Sequence, residues 1–136
     1  GRQIVEIQRI QNKELLIKYQ TRKSVIEKRL GRTDVEKTLF HGTDEDTCAK
    51  INRFGFNRSF CGKNATFFGN GTYFAVDPEY SMRDQYSQPN LQGIKHIYLC
   101  NVVHGDFTTG SPGVIAPPTK PNNADQVYDS LVDNPT

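Results

Sequence analysis

The 136-residue sequence lacks the features of several common protein classes. It contains no tryptophan, one methionine and three cysteines (Cys48, Cys61 and Cys100) that form no close pair. An odd number of widely spaced cysteines argues against a secreted disulfide scaffold and suits reduced thiols. We therefore expect a cytoplasmic or nuclear protein. A chain of this length is one small domain, or part of one, that buries a core without cross-links.

Charge excess and long apolar runs are also absent. The 17 Lys and Arg residues nearly balance the 15 Asp and Glu residues, for a net charge of +2, which does not indicate a strongly charged partner such as duplex DNA. No apolar run is long enough to span a bilayer, so we expect no membrane partner. The chain begins at Gly1, without an initiator methionine or a signal peptide, so we expect a fragment of a longer protein.

Helix signals lie in the first half of the chain. Asn12 is a candidate N-cap for a helix that stops at Gly31. The predicted apolar side of this helix consists of Leu15, Leu16, Tyr19, Ile26 and Leu30. A second helix of about ten residues ends at Gly55, and Thr43 with Asp46 fits its capping box.

Strand signals are spread along the chain and are strongest in its second half. Residues 94–103 give the clearest signal, and their apolar content predicts a central strand. The other predicted strands cover residues 4–10, 38–42 and 72–76, with a short last strand opening at Val127. Proline and glycine in residues 108–123 predict a surface loop, and residues 56–68 predict an ordered loop beside a site. Helices early and strands late indicate an α+β fold.

Two stretches concentrate residues suited to ligand binding. In Leu39-Phe40-His41-Gly42-Thr43, a histidine at a strand end precedes a glycine whose bare backbone can meet a ligand. A lone histidine in such a place is more often a structural hydrogen-bonding group than a catalytic one. The second stretch, residues 69–86, combines a glycine turn with three tyrosines, a serine and the helix start Asp77-Pro78.

Three other chemistries are poorly supported. Gly69-Asn70-Gly71 lacks both the third glycine of a dinucleotide-binding fold and the Lys-Ser/Thr of a phosphate loop. His96, Cys100 and His104 are spaced by four residues, which is not a standard zinc spacing, so we expect no metal. Cys61 lies near Lys63, but the sequence identifies no general base that would activate it as a nucleophile, which favours an ordinary thiol.

Taken together, these stretches resemble the catalytic domain of the poly(ADP-ribose) polymerase-type ADP-ribosyltransferases. Within that family the chain is most similar to the mono-ADP-ribosylating, macrodomain-containing members. The similar text is Ile7-Gln8-Arg9-Ile10-Gln11-Asn12, Tyr19-Gln20, Leu39-Phe40-His41-Gly42-Thr43, Gly55-Phe56-Asn57-Arg58-Ser59, Gly62-Lys63-Asn64-Ala65, Gly71-Thr72-Tyr73-Phe74-Ala75, Tyr80-Ser81, Tyr86-Ser87 and Tyr128-Asp129-Ser130. The resemblance covers nearly the whole chain, with the motifs in the family's order.

The resemblance implies the ADP-ribosyltransferase fold, a mostly antiparallel split sheet with flanking helices. It makes residues 1–136 a partial catalytic domain that is incomplete at both ends, with its closing strands beyond Thr136. The third position of the family's His-Tyr-Glu signature would also lie beyond Thr136. Because that residue distinguishes poly from mono transfer, we favour mono transfer on overall similarity alone.

The resemblance also implies NAD⁺ as co-substrate and catalytic roles for His41 and Tyr73. Gly42 and Ser81 match the groups that bind the nicotinamide carboxamide, Tyr86 matches the ring that stacks on nicotinamide, and His41 matches the group that binds a ribose hydroxyl. The expected NAD⁺-binding set is His41, Gly42, Thr43, Tyr73, Tyr80, Ser81 and Tyr86. The sequence departs from the family at Leu16, where relatives usually have tryptophan, and at Asn70, where Lys is common.

The expected function is transfer of ADP-ribose from NAD⁺ to protein side chains, with release of nicotinamide. The expected partners are acceptor proteins, with the chain itself as a candidate acceptor, and nicotinamide-like inhibitors. One alternative is a catalytically inactive NAD-binding or protein-interaction module of the same fold. Another is a nucleic-acid-binding module, built on Arg53, Arg58 and Lys63 beside Phe54, Phe56 and Phe60, against which the net charge argues.

Overall fold

The computed structural model describes residues 2–56, 72–110, 117–121, 123–127 and 129–132. The predicted loop over residues 57–68 and the Gly69-Asn70-Gly71 turn lie outside the described residues, as do Cys61, Lys63 and Tyr128. Of the ordered loop predicted beside the site over residues 56–68, only Phe56 is described.

Helix α1 (Lys13–Leu30) begins and ends where the sequence predicts. The Asn12 side chain accepts a hydrogen bond from the Leu15 amide, and Gly31, at φ 67°, donates its N–H to the Glu27 carbonyl. Ile26 is buried on the predicted apolar side, whereas Leu16 is 54% exposed. The predicted apolar side is therefore confirmed at Ile26 and wrong at Leu16.

Two antiparallel strands form the sheet that carries the site. Strand β1 (Glu36–Thr43) pairs with β2 (His96–Val103), in register from Glu36↔Val103 to Thr43↔His96. Both strands were predicted. Among the described residues, however, β2 pairs with β1 alone and its Leu99 is 66% exposed, so the predicted central position of β2 is wrong for this part of the chain.

Helix α2 (Glu45–Phe54) follows β1 directly. Its N-cap is Asp44, which accepts from the Thr47 amide at 2.8 Å, so the predicted Thr43–Asp46 capping box is wrong by one residue. Thr43 remains in β1, where it is buried. The predicted end at Gly55 is confirmed, since the Gly55 N–H bonds the Ile51 carbonyl.

The segment after residue 71 reaches β1 with less strand than predicted. Only Ala75 pairs, through an isolated bridge in which the Phe40 and Ala75 backbones exchange bonds of 2.7 and 2.8 Å. Helix α3 (Pro78–Ser81) then begins as predicted, because Asp77 accepts from the Glu79 amide and Pro78 occupies the first helical position.

Short strands continue through the region predicted as a loop. Strand β3 (Phe107–Thr109) pairs in parallel with β6 (Ser130–Val132), and β4 (Thr119–Lys120) pairs antiparallel with β5 (Asn123–Val127). The surface loop predicted over residues 108–123 is therefore wrong at β3 and β4, because β3 pairs with the distant β6 and β4 forms a local hairpin with β5.

The predicted strand over residues 4–10 is also wrong. This segment forms no secondary structure, and Ile4 and Ile7 are 75% and 83% exposed. Its β-branched composition favours extended backbone, but a strand also needs a partner. None of the helices in the described ranges combines the length and apolar character that crossing a bilayer requires. The helices and mostly antiparallel pairs confirm the α+β class.

Candidate active site

The end of β1 packs directly against the last turn of α3. A β-carbon on Gly42 would lie 1.9 Å from the Ser81 carbonyl oxygen and 3.3 Å from the Ser87 β-carbon. Only glycine permits this approach of two backbones. The buried Ser81 also donates its hydroxyl proton to the Phe40 carbonyl at 3.1 Å. The two predicted carboxamide-binding residues, Gly42 and Ser81, are therefore in direct contact.

One edge of β1 carries the backbone groups of Gly42. The N–H and C=O of Phe40 point away from β2 and bond Ala75. Backbone groups alternate between the two edges of a strand, so Gly42 presents its N–H and C=O on the same edge as Phe40. This edge offers a donor and an acceptor side by side, beside the Ser81 turn.

Three tyrosines form a cluster next to this edge. The rings of Tyr80 and Tyr86 are stacked, with centroids 5.2 Å apart and an interplanar angle of 29°, and their hydroxyls are 2.9 Å apart. Tyr73 lies 6.4 Å from Tyr86, tilted by 37°. Tyr86 is only 5% exposed. The structure thus brings the three predicted tyrosines together.

The Tyr80 hydroxyl stays protonated over the physiological range. Burial, followed by the hydrogen bond with Tyr86, raises the pKa of Tyr80 to about 12, although Arg83 opposes the rise. The Arg83 guanidinium lies 4.5 Å from the centroid of the Tyr80 ring, a cation–π contact. The Tyr80 hydroxyl is therefore neutral, and a guanidinium cation lies over its ring.

His41 is tied to Tyr73 through the backbone. Its Nδ1 lies 2.5 Å from the Tyr73 carbonyl oxygen. A carbonyl only accepts, so Nδ1 carries the proton. Burial lowers the pKa of His41, and the bond to Tyr73 partly opposes this. The imidazole is therefore neutral near pH 7, and its Nε2 is left with a lone pair that can accept a hydrogen bond.

An aromatic cage of Phe56, Phe74 and Tyr98 surrounds the His41 ring. The ring centroids of these residues lie 5.0, 5.3 and 6.5 Å from that of His41. Tyr98 donates its hydroxyl proton toward the Asn52 side-chain oxygen at 2.6 Å and the Cys48 carbonyl at 3.1 Å, and burial raises its pKa. The cage anchors the histidine to α2.

Sequence reasoning did not identify the cage as part of the site. The pairing of β1 with β2 could have found Tyr98, because it lies directly opposite His41 in the register. Phe56 was predicted in the loop beside the site and in the nucleic-acid alternative, but not as a neighbour of His41, which it contacts in the cage. Arg53 lies over the exposed Phe54 ring at 5.0 Å. Arg58, Lys63 and Phe60 lie outside the described residues.

The remaining predicted positions lie at the margin of the cluster. Thr43 is buried at the end of β1 and pairs with His96. His96 and Cys100 lie on the same face of β2, and His104 follows the strand. Burial raises the pKa of Cys100 to about 12, so its thiol is protonated. In the described part of the chain, no three His, Cys, Asp or Glu residues form a group that could hold a metal ion.

Comparisons with known proteins agree with this arrangement. Residues 1–127 match the family described as the poly(ADP-ribose) polymerase catalytic domain. The chain is 47% identical over 132 residues to human protein mono-ADP-ribosyltransferase PARP14, covering 96% of this chain and 7% of that protein. It is 39% identical over 130 residues to mouse protein mono-ADP-ribosyltransferase PARP10, covering 96% of this chain and 14% of that protein.

More distant relatives carry similar names. The chain is 36% identical to mouse protein mono-ADP-ribosyltransferase PARP12 and 28% identical to mouse protein mono-ADP-ribosyltransferase PARP9, covering 18% and 16% of those proteins. The chain thus spans less than a fifth of the length of these relatives. Since the family match covers most of the sequence and includes His41, Gly42, Tyr73 and Tyr86, the chain belongs to the poly(ADP-ribose) polymerase catalytic-domain family.

Proposed function

We propose that this chain transfers single ADP-ribose units from NAD⁺ to protein side chains and releases nicotinamide. The observation that carries the proposal is the meeting of the Gly42 edge, the Ser81 turn and the tyrosine cluster at one place. The relatives' names, which all include mono-ADP-ribosyltransferase, support transfer of single units.

The geometry at Gly42 fits a nicotinamide carboxamide. A carboxamide has one N–H₂ donor and one C=O acceptor on the same side, and the Gly42 N–H and C=O form the matching pair on the edge of β1. Ser81, which contacts Gly42, supplies a hydroxyl beside them. In this proposal Gly42 and Ser81 fix the plane of the carboxamide, and so orient the ring attached to it.

The spacing of Tyr73 and Tyr86 fits a flat ring between them. Carbon atoms in contact lie about 3.5 Å apart, so one ring inserted between two others needs about 7 Å. The observed separation of 6.4 Å is close to that, and the tilt of 37° leaves one side more open. Tyr80 stacks on Tyr86 and holds it in place. In this proposal the pyridinium, a flat cation, binds against the electron-rich ring faces.

His41 then acts on the ribose. Its neutral Nε2 accepts a hydrogen bond from a ribose hydroxyl, while Nδ1–H bonds the Tyr73 carbonyl and fixes the ring. A donating His41 cation would place a second positive charge near a ribose that is itself becoming positive. The neutral form therefore suits a transition state of oxocarbenium character.

The reaction breaks the bond between the nicotinamide nitrogen and the ribose carbon C1. The electron pair of that bond goes to the nicotinamide nitrogen and neutralises the pyridinium charge. A nucleophilic atom of an acceptor side chain then bonds C1, and any proton on that atom is released to water. The chain contributes mainly by holding the co-substrate in a fixed, preorganised orientation.

Intact mass spectrometry after incubation with NAD⁺ tests the proposal. We expect the 136-residue chain, or an added acceptor protein, to gain single ADP-ribose units. Tyr73→Ala and His41→Ala should each reduce the gain by about 100-fold or more, because both remove positioning of the reacting ribose. The control Lys18→Met, on the exposed side of α1, should retain the activity. Transfer that survives both site substitutions would refute the proposal, and successive units on one side chain would mean poly transfer.

The inactive binding module is the second candidate. The stacking of Tyr80 on Tyr86 favours it, because a preformed stack of rings offers a surface for a flat ligand and by itself supplies no catalytic group. Nicotinamide or NAD⁺ binding in calorimetry, together with no mass gain and no nicotinamide release, would identify it.

A further inference from the structure

Lys95 lies just before β2 and reaches back to the end of α3. Its ammonium donates to the Met82 carbonyl at 2.7 Å and pairs with the Asp84 carboxylate. Only 18% of the Lys95 side chain is exposed, whereas 79% of Asp84 is exposed. The partly buried bond to the carbonyl is therefore the stronger of the two, since exposed ion pairs are screened by water.

The Met82 carbonyl, which accepts the hydrogen bond from Lys95, lies at the C-terminal end of α3. Met82 is the C-cap of this four-residue helix, and its N–H bonds the Pro78 carbonyl. Carbonyls in the last turn of a helix have no partner within the helix, and a lysine side chain is one of the groups that can satisfy them. Lys95 thus holds the segment of residues 81–86, here called the site turn, which carries Ser81 and Tyr86.

A second tether from the same part of the chain supports this reading. The Ser87 hydroxyl, on a residue with no exposed surface, donates to the His96 carbonyl at 2.8 Å. Asn90 closes the connecting loop, since its side-chain oxygen accepts from the Gln92 and Ile94 amides. The loop therefore returns the chain to the site turn. Two consecutive residues at the start of β2 then hold it, since Lys95 bonds Met82 within the turn and His96 bonds Ser87 directly after it.

We propose that Lys95 is a positioning residue, which fixes the site turn so that Ser81 and Tyr86 face the Gly42 edge before ligand binds. This inference rests on the proposed function, because it assigns Lys95 to the nicotinamide end of the same site. Lys95 acts through the Met82 carbonyl. Without the Lys95 side chain, the free energy of ligand binding must also cover the cost of ordering the site turn. Ligand affinity then falls, while the geometry of the bound state is retained.

Amide hydrogen exchange tests the positioning without relying on activity. The Tyr86 and Ser87 amides both bond the Arg83 carbonyl within this region, so their exchange reports opening of the turn. Lys95→Met should speed both amides by about tenfold, the effect of losing one charge-assisted hydrogen bond. The Gly31 amide, which ends α1, is the internal reference and should not change. Unchanged Tyr86 and Ser87 exchange in Lys95→Met would overturn the inference.

Three matched variants separate the carbonyl bond from the ion pair. Lys95→Arg keeps a charged donor and should restore exchange to within about threefold of the wild type. Asp84→Asn keeps the bond to Met82 and should behave like the wild type, as should Lys18→Met on α1. If Asp84→Asn opens the turn as much as Lys95→Met does, the ion pair and not the carbonyl bond holds it, which contradicts the proposal. Should Lys95→Met not fold, Lys95→Gln serves in the same comparison.

Binding and kinetics then link the turn to function. Lys95→Met should raise both the Kd for nicotinamide and the KM for NAD⁺ by about tenfold, with little change in kcat, as expected when a cost is added to binding alone. Equal affinity in Lys95→Met and wild type would overturn the role at the site. If the wild type binds no nicotinamide, the proposed function fails, while the exchange comparison still decides whether Lys95 positions the turn.

Discussion

The α-carbon of Gly42 lies against the carbonyl oxygen of Ser81, with no room for a β-carbon between them. This contact joins the two halves of the site, because Gly42 is the second-last residue of β1 and Ser81 is the last residue of α3. The Ser81 hydroxyl adds a bond to the Phe40 carbonyl, two residues before Gly42. The position of α3 therefore depends on residue 42 being a glycine, which has no β-carbon.

Gly42→Ala should displace α3 from β1. The added methyl group would lie 1.9 Å from the Ser81 oxygen, which is backbone and cannot rotate away. Overpacking of this kind costs about 1–3 kcal/mol, so we expect a loss of that size in the free energy of unfolding by urea, together with loss of nicotinamide binding. Ser81→Ala, which removes only the bond to Phe40, should cost about 1 kcal/mol. A Gly42→Ala variant with wild-type stability and binding would contradict the contact.

His41 should make the stability of the chain depend on pH. Its pKa in the folded state is lowered by burial among aromatic rings, so below its ordinary value near 6.5 the unfolded chain takes up a proton more readily than the folded one. The contribution is fully present above pH 6.5 and decreases as the pH falls through that value. The slope is at most about 1.4 kcal/mol per pH unit, the value for one proton.

Urea unfolding between pH 5 and 7.5 measures this slope, with His41→Gln as the control. The difference in slope between the wild type and the variant belongs to His41. NMR titration of the wild type should also show Nδ1 protonated in the neutral ring, as the bond to the Tyr73 carbonyl requires. Equal slopes, or a neutral ring protonated at Nε2, would contradict the environment described for His41.

Capping residues in the sequence correctly predicted the ends of two helices. Helix α2 ends at Gly55 as predicted, and α3 starts at Asp77-Pro78, because capping depends on residues a few positions apart. The capping box was misplaced by one residue for the same local reason, since Thr43 and Asp44 are both good caps and only the pairing of β1 with β2 keeps Thr43 in the strand.

Features that depend on distant parts of the chain could not be predicted in this way. Asn12 was predicted as the N-cap of α1, and its side-chain nitrogen also donates to the Asn52 and Arg53 carbonyls at the end of α2. Nothing near Asn12 in the sequence reveals that second role. Residues 4–10 have strand-like composition but no partner among the described residues, and β3 forms where composition predicts a loop because it pairs with the distant β6.

Tyr98→Phe should weaken the link between α2 and β2 and leave the cage around His41 in place. The substitution removes the hydroxyl that bonds the Asn52 side chain and the Cys48 carbonyl, but keeps the ring. We expect a loss of about 1–2 kcal/mol in the free energy of unfolding. A double-mutant cycle with Asn52→Ala should give a coupling of about 0.5 kcal/mol or more, and additive losses would contradict the bond.

Two ion pairs of this chain should differ strongly in their contribution to stability. Asp129 pairs with Arg29 of α1, and its other oxygen accepts from the Asp106 amide at 2.9 Å, with only 9% of its side chain exposed. Glu79 pairs with Arg2, but 66% of its side chain is exposed. Because water screens the second pair and not the first, Asp129→Asn should lower the free energy of unfolding by about 1.5–3 kcal/mol. Glu79→Gln should change it by less than about 0.5 kcal/mol, and equal losses in the two variants would show that burial does not govern these pairs.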